Sequence, residues 1–250
     1  MANPRKQSSS YWQESRRPLS CLVFVSPWLV AYELGLVWMG PTAIRNGAEA
    51  WLRSALDLLG LGHPAWLPVL VMAILLAWHY VRGDTWQPRF GCLATMAVES
   101  LGWAFGLTTL AIMLEPWWTG GRMSLDGAAA GSAVPQLITY CGAGLYEELL
   151  FRLLLLPATV LLLHSAGLNR IASTVAAVVV TSLLFAAVHY QMAVPMENVR
   201  VYFLYGEPFS WNTFLFRWLA GMFFAGLFAA RGFGITVATH AWYDILVAML

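Results

Sequence analysis

The stretch Tyr146-Glu147-Glu148-Leu149-Leu150-Phe151-Arg152 sets two carboxylates and a guanidinium inside a run that otherwise reads as membrane-spanning helix. Further along, His189 follows Phe185-Ala186-Ala187-Val188, and Thr239-His240-Ala241-Trp242-Tyr243-Asp244 carries an imidazole and a carboxylate four residues apart. A charged side chain at a bilayer centre costs about 2.5–3.5 kcal/mol on insertion scales, so intramembrane ionisable residues are read first as functional. Carboxylates and imidazoles are also the commonest side chains for moving protons at neutral pH. The chemistry on offer is therefore acid–base chemistry in a water-poor place.

Helical spacing sorts these groups. Arg152 lies on the same face as Glu148 (i, i+4), while Glu147 projects elsewhere and needs a partner from another helix. Glu148 and Arg152 by themselves can be a self-neutralising pair that only serves packing. His240 and Asp244 stack on one face, where the carboxylate can accept the imidazole N–H and fix its tautomer; this too can be structural. His189 alone can be a helix-end histidine at the headgroups. Ionisable groups on three apolar helices with plausible inner faces make the purely structural reading harder to sustain jointly. Glu99 and Arg217, weaker signals, could pair across helices. Glu33, His79 and His164 fall near span ends, where snorkelling suffices.

The elements that must position these groups follow from composition. Of 250 residues 59% are hydrophobic and 11% charged, against roughly 25% charged in soluble domains. A polytopic helical membrane protein fits, and at this length one bundle rather than two domains is expected. Thirteen tryptophans and thirteen phenylalanines suit interfacial belts and helix packing. A net charge of +1 gives no reason to expect nucleic acid as a partner. Cys21, Cys92 and Cys141 form no CxxC spacing, which argues against a disulfide framework or thiolate metal site.

Spans of about 20 apolar residues are expected at 19–38, 65–81, 90–114, 134–163, 171–192, 211–230 and 233–250, giving an all-α bundle of about seven spans. In 45–60, Ala48, Trp51, Leu52, Ala55, Leu56 and Leu59 recur at helical spacing between Arg45, Glu49, Arg53 and Asp57, as in an interfacial amphipathic helix. Residues 1–18 form a polar, basic tail. The apolar run after it is too long for a signal-peptide core and lacks a small-residue cleavage site, so it is expected to be retained. The expected organisation is that tail followed by one transmembrane domain, 19–250, with the chemistry concentrated in 134–250. The connections 115–132 and 193–210 are long enough to fold over an embedded cavity. Seven spans with a cytoplasmic N-terminus put eight cations inside (Arg5, Lys6, Arg16, Arg17, Arg82, Arg89, Arg170, Arg231) and four outside (Arg45, Arg53, Arg122, Arg200), in line with the positive-inside bias. The expected setting is a multi-pass protein of the bilayer, in the inner or plasma membrane if prokaryotic.

Glu-Glu-x-x-x-Arg (147, 148, 152), Phe-x-x-x-His (185, 189) and His-x-x-x-Asp (240, 244), in this order on successive apolar helices, resemble the CAAX-protease and bacteriocin-processing family. These are intramembrane proteases that include the type II CAAX prenyl endopeptidase. The resemblance covers 135–250; upstream of about 130 only hydropathy supports it. It implies that Glu147 and His189 hold and deprotonate the attacking water, that His240 with Asp244 stabilises the oxyanion, and that Glu148, Arg152 and Phe185 support the site or grip substrate. Each role is chemically sound. Arg152 could equally bind a peptide carboxylate through two parallel hydrogen bonds. Well-studied members carry Asn where this chain has Asp244. An ionised Asp cannot donate to an oxyanion, so Asp244 is expected to hold His240 from behind while His240 donates.

Two histidines and a glutamate plus water would also suit zinc. The absence of an HExxH helix and the presence of Arg152 favour a metal-free glutamic mechanism with no cofactor. The expected partner is a membrane-anchored or lipid-modified peptide or protein. A non-catalytic scaffold or bacteriocin-immunity-type protein, with the same residues merely locking the bundle, is the alternative. A proton-coupled transporter would show two related halves, and no internal repeat is evident.

Overall fold

A chain in hydrocarbon must satisfy its backbone polar groups within its own segments, and the apolar runs accordingly become helices. The computed structural model describes residues 10–40, 43, 45–114, 133–190, 192–196, 199–203 and 206–250. A short α1 (Tyr11–Glu14) precedes α2 (Pro18–Met39), α3 (Gly47–Leu58), α4 (Trp66–Arg82) and α5 (Phe90–Leu114). Then come α6 (Ala133–Glu148), a π-helical segment (Leu149–Leu155) continuing into α7 (Leu156–Ser165), α8 (Arg170–Ala187), α9 (Trp211–Arg231) and α10 (Phe233–Ala248). The expected helical bundle is what forms. Residues 1–9 of the basic tail and the connection 115–132 lie outside the described residues.

Among the described residues, five helices are long and apolar enough to cross a bilayer: α2, α5, the continuous α6–π–α7 rod, α8 and α9. Helices α4 and α10, expected as spans, have 17 and 16 residues. Leu34, Val98, Phe105, Leu161, Val175 and Leu184 present their apolar side chains on the outside of the bundle, as expected where the solvent is lipid rather than water.

Helix α10 sits at the centre, packed against α5, α6, α2 and α9, and every residue from Phe233 to Ala241 is buried. Apart from Thr236, Thr239, His240, Tyr243 and Asp244 its residues are apolar or glycine, as suits a central helix. Its approach to α6 depends on Gly144, where a Cβ would stand 2.8 Å from the Val237 carbonyl oxygen and the Ala241 nitrogen. That closeness brings Glu147 and Glu148 within reach of His240. Helix α8 packs on α7 and α9 and delivers His189 just past its C-terminal end.

The α8–α9 connection contains an antiparallel hairpin, β1 (Met192–Met196) with β2 (Val199–Phe203), in the register Met192↔Phe203 to Met196↔Val199. After it, Gly206 at φ +124° lies against the His189 carbonyl, which accepts from the Glu207 N–H at 3.0 Å. A side chain there would meet backbone at 2.5 Å. The chain thus folds back over the residue that α8 presents.

The expected amphipathic helix is α3, but its charges are not all on the outer face. Glu49 is fully buried, accepting from Tyr32 Oη, from Arg45 at 2.6 Å and from Arg53 at 2.5 Å. The Tyr32 bond fastens α3 to α2.

Candidate functional site

The α6 rod leaves α-helical geometry immediately after its two glutamates. Pro157 supplies a reason: it has no N–H for the Leu153 carbonyl and its ring would crowd that oxygen, so the preceding turns widen. Such π segments recur at functional sites. Within this one, Arg152 is 2% exposed. It donates to Glu148 Oε1 at 3.0 Å and to the Gly221 carbonyl of α9 at 3.2 Å, and its guanidinium lies 4.3 Å from the Phe185 ring centroid. Phe185, itself buried, also meets the rings of Phe151, His189 and His240.

Glu148 is fully buried, and its Oε1 accepts from His240 Nδ1 at 2.6 Å as well as from Arg152. The His240 ring stacks on Phe224 with 4.6 Å between centroids. With Nδ1 committed to a carboxylate, His240 turns Nε2 toward Asp244 Oδ2 (3.7 Å) and Glu147 Oε2 (3.9 Å). The expectation that Asp244 holds His240 from behind is therefore corrected. Glu148 occupies that position, and Asp244 faces the opposite nitrogen beyond hydrogen-bond distance. The self-contained Glu148–Arg152 pair gives way to a junction of α6, the π segment, α9 and α10.

Glu147 finds its partners on other elements, as its helical position required. Its Oε1 accepts from the side-chain amide of Asn46 at 2.6 Å. Its Oε2 is buried without a hydrogen-bond partner and lies 3.6 Å from His189 Nε2 and 3.9 Å from His240 Nε2. His189 Nδ1 meets the Phe185 carbonyl at 2.6 Å. A carbonyl can only accept, so Nδ1 carries the proton and a neutral ring leaves its Nε2 lone pair toward Glu147. The His189 side chain is 24% exposed while those of Glu147 and His240 are 10% and 6%, so the group opens to the outside past His189.

A carboxylate oxygen and an imidazole lone pair facing each other at this separation can both accept from one water. His240, as imidazolium, would present an Nε2–H on the other side. The structure thus brings together all seven residues singled out by sequence: Glu147, Glu148, Arg152, Phe185, His189, His240 and Asp244. Arg152 is enclosed, which leaves its guanidinium no path to a substrate carboxylate. Among the described residues, no three His, Cys, Asp or Glu side chains form a metal-holding group.

Asn46 was not anticipated. Its signal is an N-cap asparagine before Gly47-Ala48-Glu49, which announces a helix start and nothing more. Other intramembrane pairings differ from expectation. Glu99 pairs with Arg231, and Arg217 with Glu207, rather than Glu99 with Arg217. His79 is fully buried edge-on to Trp86 instead of snorkelling, and Glu33 accepts from Tyr146 Oη at 2.5 Å.

A helical bundle with a buried carboxylate–imidazole cluster defines a polytopic membrane protein with an embedded polar site. Residues 129–246 match the family model described as type II CAAX prenyl endopeptidase, Rce1-like, which bears out the family resemblance carried by the three motifs. No match is found among curated proteins or among solved structures. With five helices long and apolar enough to cross a bilayer, the chain is built as an integral membrane protein, and its residues 129–246 are similar to that family.

Proposed function

We propose that this protein is an intramembrane endopeptidase that hydrolyses a peptide bond of a membrane-anchored or lipid-modified protein with water activated by Glu147 and His189. The observation that carries the reading is the buried, unpartnered Glu147 Oε2 facing His189 Nε2 and His240 Nε2. A water donating one proton to Glu147 and one to the His189 lone pair keeps its own lone pairs for the substrate carbonyl. As its oxygen bonds to that carbon, Glu147 takes the proton and the carbonyl oxygen becomes an oxyanion. His240, held by Glu148 and protonated on both nitrogens, donates Nε2–H to the oxyanion. Collapse breaks the C–N bond, Glu147 returns the proton to the departing amine, and a carboxylic acid and an amine leave, the acid then passing its remaining proton to the amine.

The mechanism is read as glutamic and metal-free. Arg152 beside Glu148 already supplies the positive charge that a metal would bring. Anchoring both histidines through Nδ1 would equally suit zinc ligands, so stoichiometric zinc at the site by elemental analysis would replace this mechanism. The catalytic core is assigned to 134–250 within one domain spanning 19–250. The excess of cations on the N-terminal side supports a cytoplasmic N-terminus, which turns His189 and the hairpin to the opposite face. Cysteine labelling of the 193–210 segment tests that orientation.

The function is tested by comparing protein termini in membranes that contain the wild-type chain or Glu147→Gln. New termini that depend on Glu147 are expected. An unchanged set of termini, with the biological effect of the protein retained by Glu147→Gln, would favour the scaffold.

A further inference from the structure

We infer that Asn46 is a positioning residue for the hydrolytic reaction: it holds Oε1 of Glu147 so that Oε2 is the oxygen presented to the two histidines. The inference rests on the reading of Glu147 as the general base. Asn46 lies outside the family-matched region 129–246 and 101 positions from Glu147 in the chain.

The amide has one possible orientation. Its Oδ1 accepts from the Ala48 backbone N–H at 2.8 Å, capping α3, and its Nδ2 donates to Glu147 at 2.6 Å. A flipped amide would lose the cap and set oxygen against carboxylate oxygen. Among the described residues this is the one hydrogen bond to the Glu147 carboxylate. The donor is itself rigidly carried. Leu52 shares a buried cluster with Leu145, Tyr146 and Leu149 of the glutamate-bearing rod, and Glu49 ties α3 to Tyr32 of α2. An interfacial helix is thereby locked to the reacting carboxylate.

One side chain thus does two things that substitution can separate. Serine and aspartate both cap helices well, but neither offers an N–H to Glu147, and aspartate sets a second carboxylate against it. The test uses the purified full-length chain in detergent and a fluorogenic peptide copied from a cleavage site defined by the Glu147-dependent termini. For Asn46→Ser, kcat is expected to fall roughly 10- to 100-fold, as for a slightly misplaced catalytic group, with KM and the melting temperature unchanged. Asn46→Asp should fall further at an unchanged melting temperature.

Wild-type kcat in Asn46→Ser would overturn the inference. So would a loss confined to KM, which would make Asn46 a substrate contact, or a loss of kcat that only tracks a fall in melting temperature in both variants, which would make it a helix cap alone. Absence of Glu147-dependent termini, or cleavage by Glu147→Gln at the wild-type rate, would be failure of the protease reading itself.

Discussion

Two of the charge clusters inside this bundle, one around Glu99 and one around Glu147, are built differently. Around Glu99 every carboxylate oxygen is engaged. Arg231 binds both oxygens at 2.5 and 2.7 Å, Tyr11 Oη donates to one, and Trp103 Nε1 to the other at 3.2 Å. Arg231 also lies 3.8 Å from the Trp12 ring. Burial and the adjacent carboxylate push the Tyr11 hydroxyl above its ordinary pKa, so it stays a donor. Around Glu147, by contrast, one oxygen is tied down and the other is left facing two imidazole nitrogens. Charge inside an apolar helix is common to both. What separates them is saturation: a structural ion pair uses up its lone pairs, and a reactive one keeps some for a substrate.

Exchanging the two carboxylates for amides should break the comparison most clearly. Glu147→Gln is expected to lower the cleavage rate at least about 100-fold, the contribution of a general base, with the melting temperature little changed. Glu99→Gln is expected to do the reverse, costing on the order of 3 kcal/mol of stability by stranding a buried guanidinium while cleavage survives in the folded fraction. Thermal unfolding and cleavage rate measured on both variants decide it. Equal activity loss in the two would mean that saturation does not mark function here.

The next largest effect concerns the junction behind His240. Glu148→Gln still accepts from one partner but no longer provides the charge shared by His240 and Arg152. Cleavage is expected to fall about 100- to 1000-fold, as when an oxyanion donor is lost, with loss of stability as well because Arg152 is left buried. A rate within twofold of wild type would remove Glu148 from the mechanism. A smaller loss follows from Gly144→Ala. Its methyl would be driven against the Val237 carbonyl, forcing α6 from α10 at a cost of about 1–3 kcal/mol. Since the two glutamates move with α6, the rate should fall together with the melting temperature.

The parts of this arrangement were unequally legible. Glu147, Glu148, Arg152, His189 and His240 stand out because hydrocarbon makes every ionisable side chain conspicuous, and helix periodicity correctly left Glu147 without a partner on its own rod. The same periodicity misled at Asp244. Four-residue spacing places two side chains on one face but does not say which ring nitrogen meets the carboxylate, and Glu148, 92 positions away, captured Nδ1. Asn46 was invisible for a different reason: polar residues between spans carry no energetic anomaly, so nothing separates a cap from a cap that also reaches the site. The π segment was hidden because Pro157 announces a disturbance but not its form.

Asp244 gives the smallest expected effect and the finest resolution between the clusters. Its Oδ2 lies 3.7 Å from His240 Nε2, beside that nitrogen but too far to hold it by a hydrogen bond. Glu148 and Glu147 also face that ring, so removing one of three carboxylates should be tolerated. Asp244→Asn keeps the shape and adds an N–H that can itself approach an oxyanion, and its rate is expected within about tenfold of wild type. Asp244→Ala offers neither charge nor donor and opens a gap beside His240, so it should be the slower of the two. Equal and severe losses in both would show that the Asp244 charge, rather than Glu148, governs His240, and the contrast between anchored and open faces of that ring would have to be redrawn.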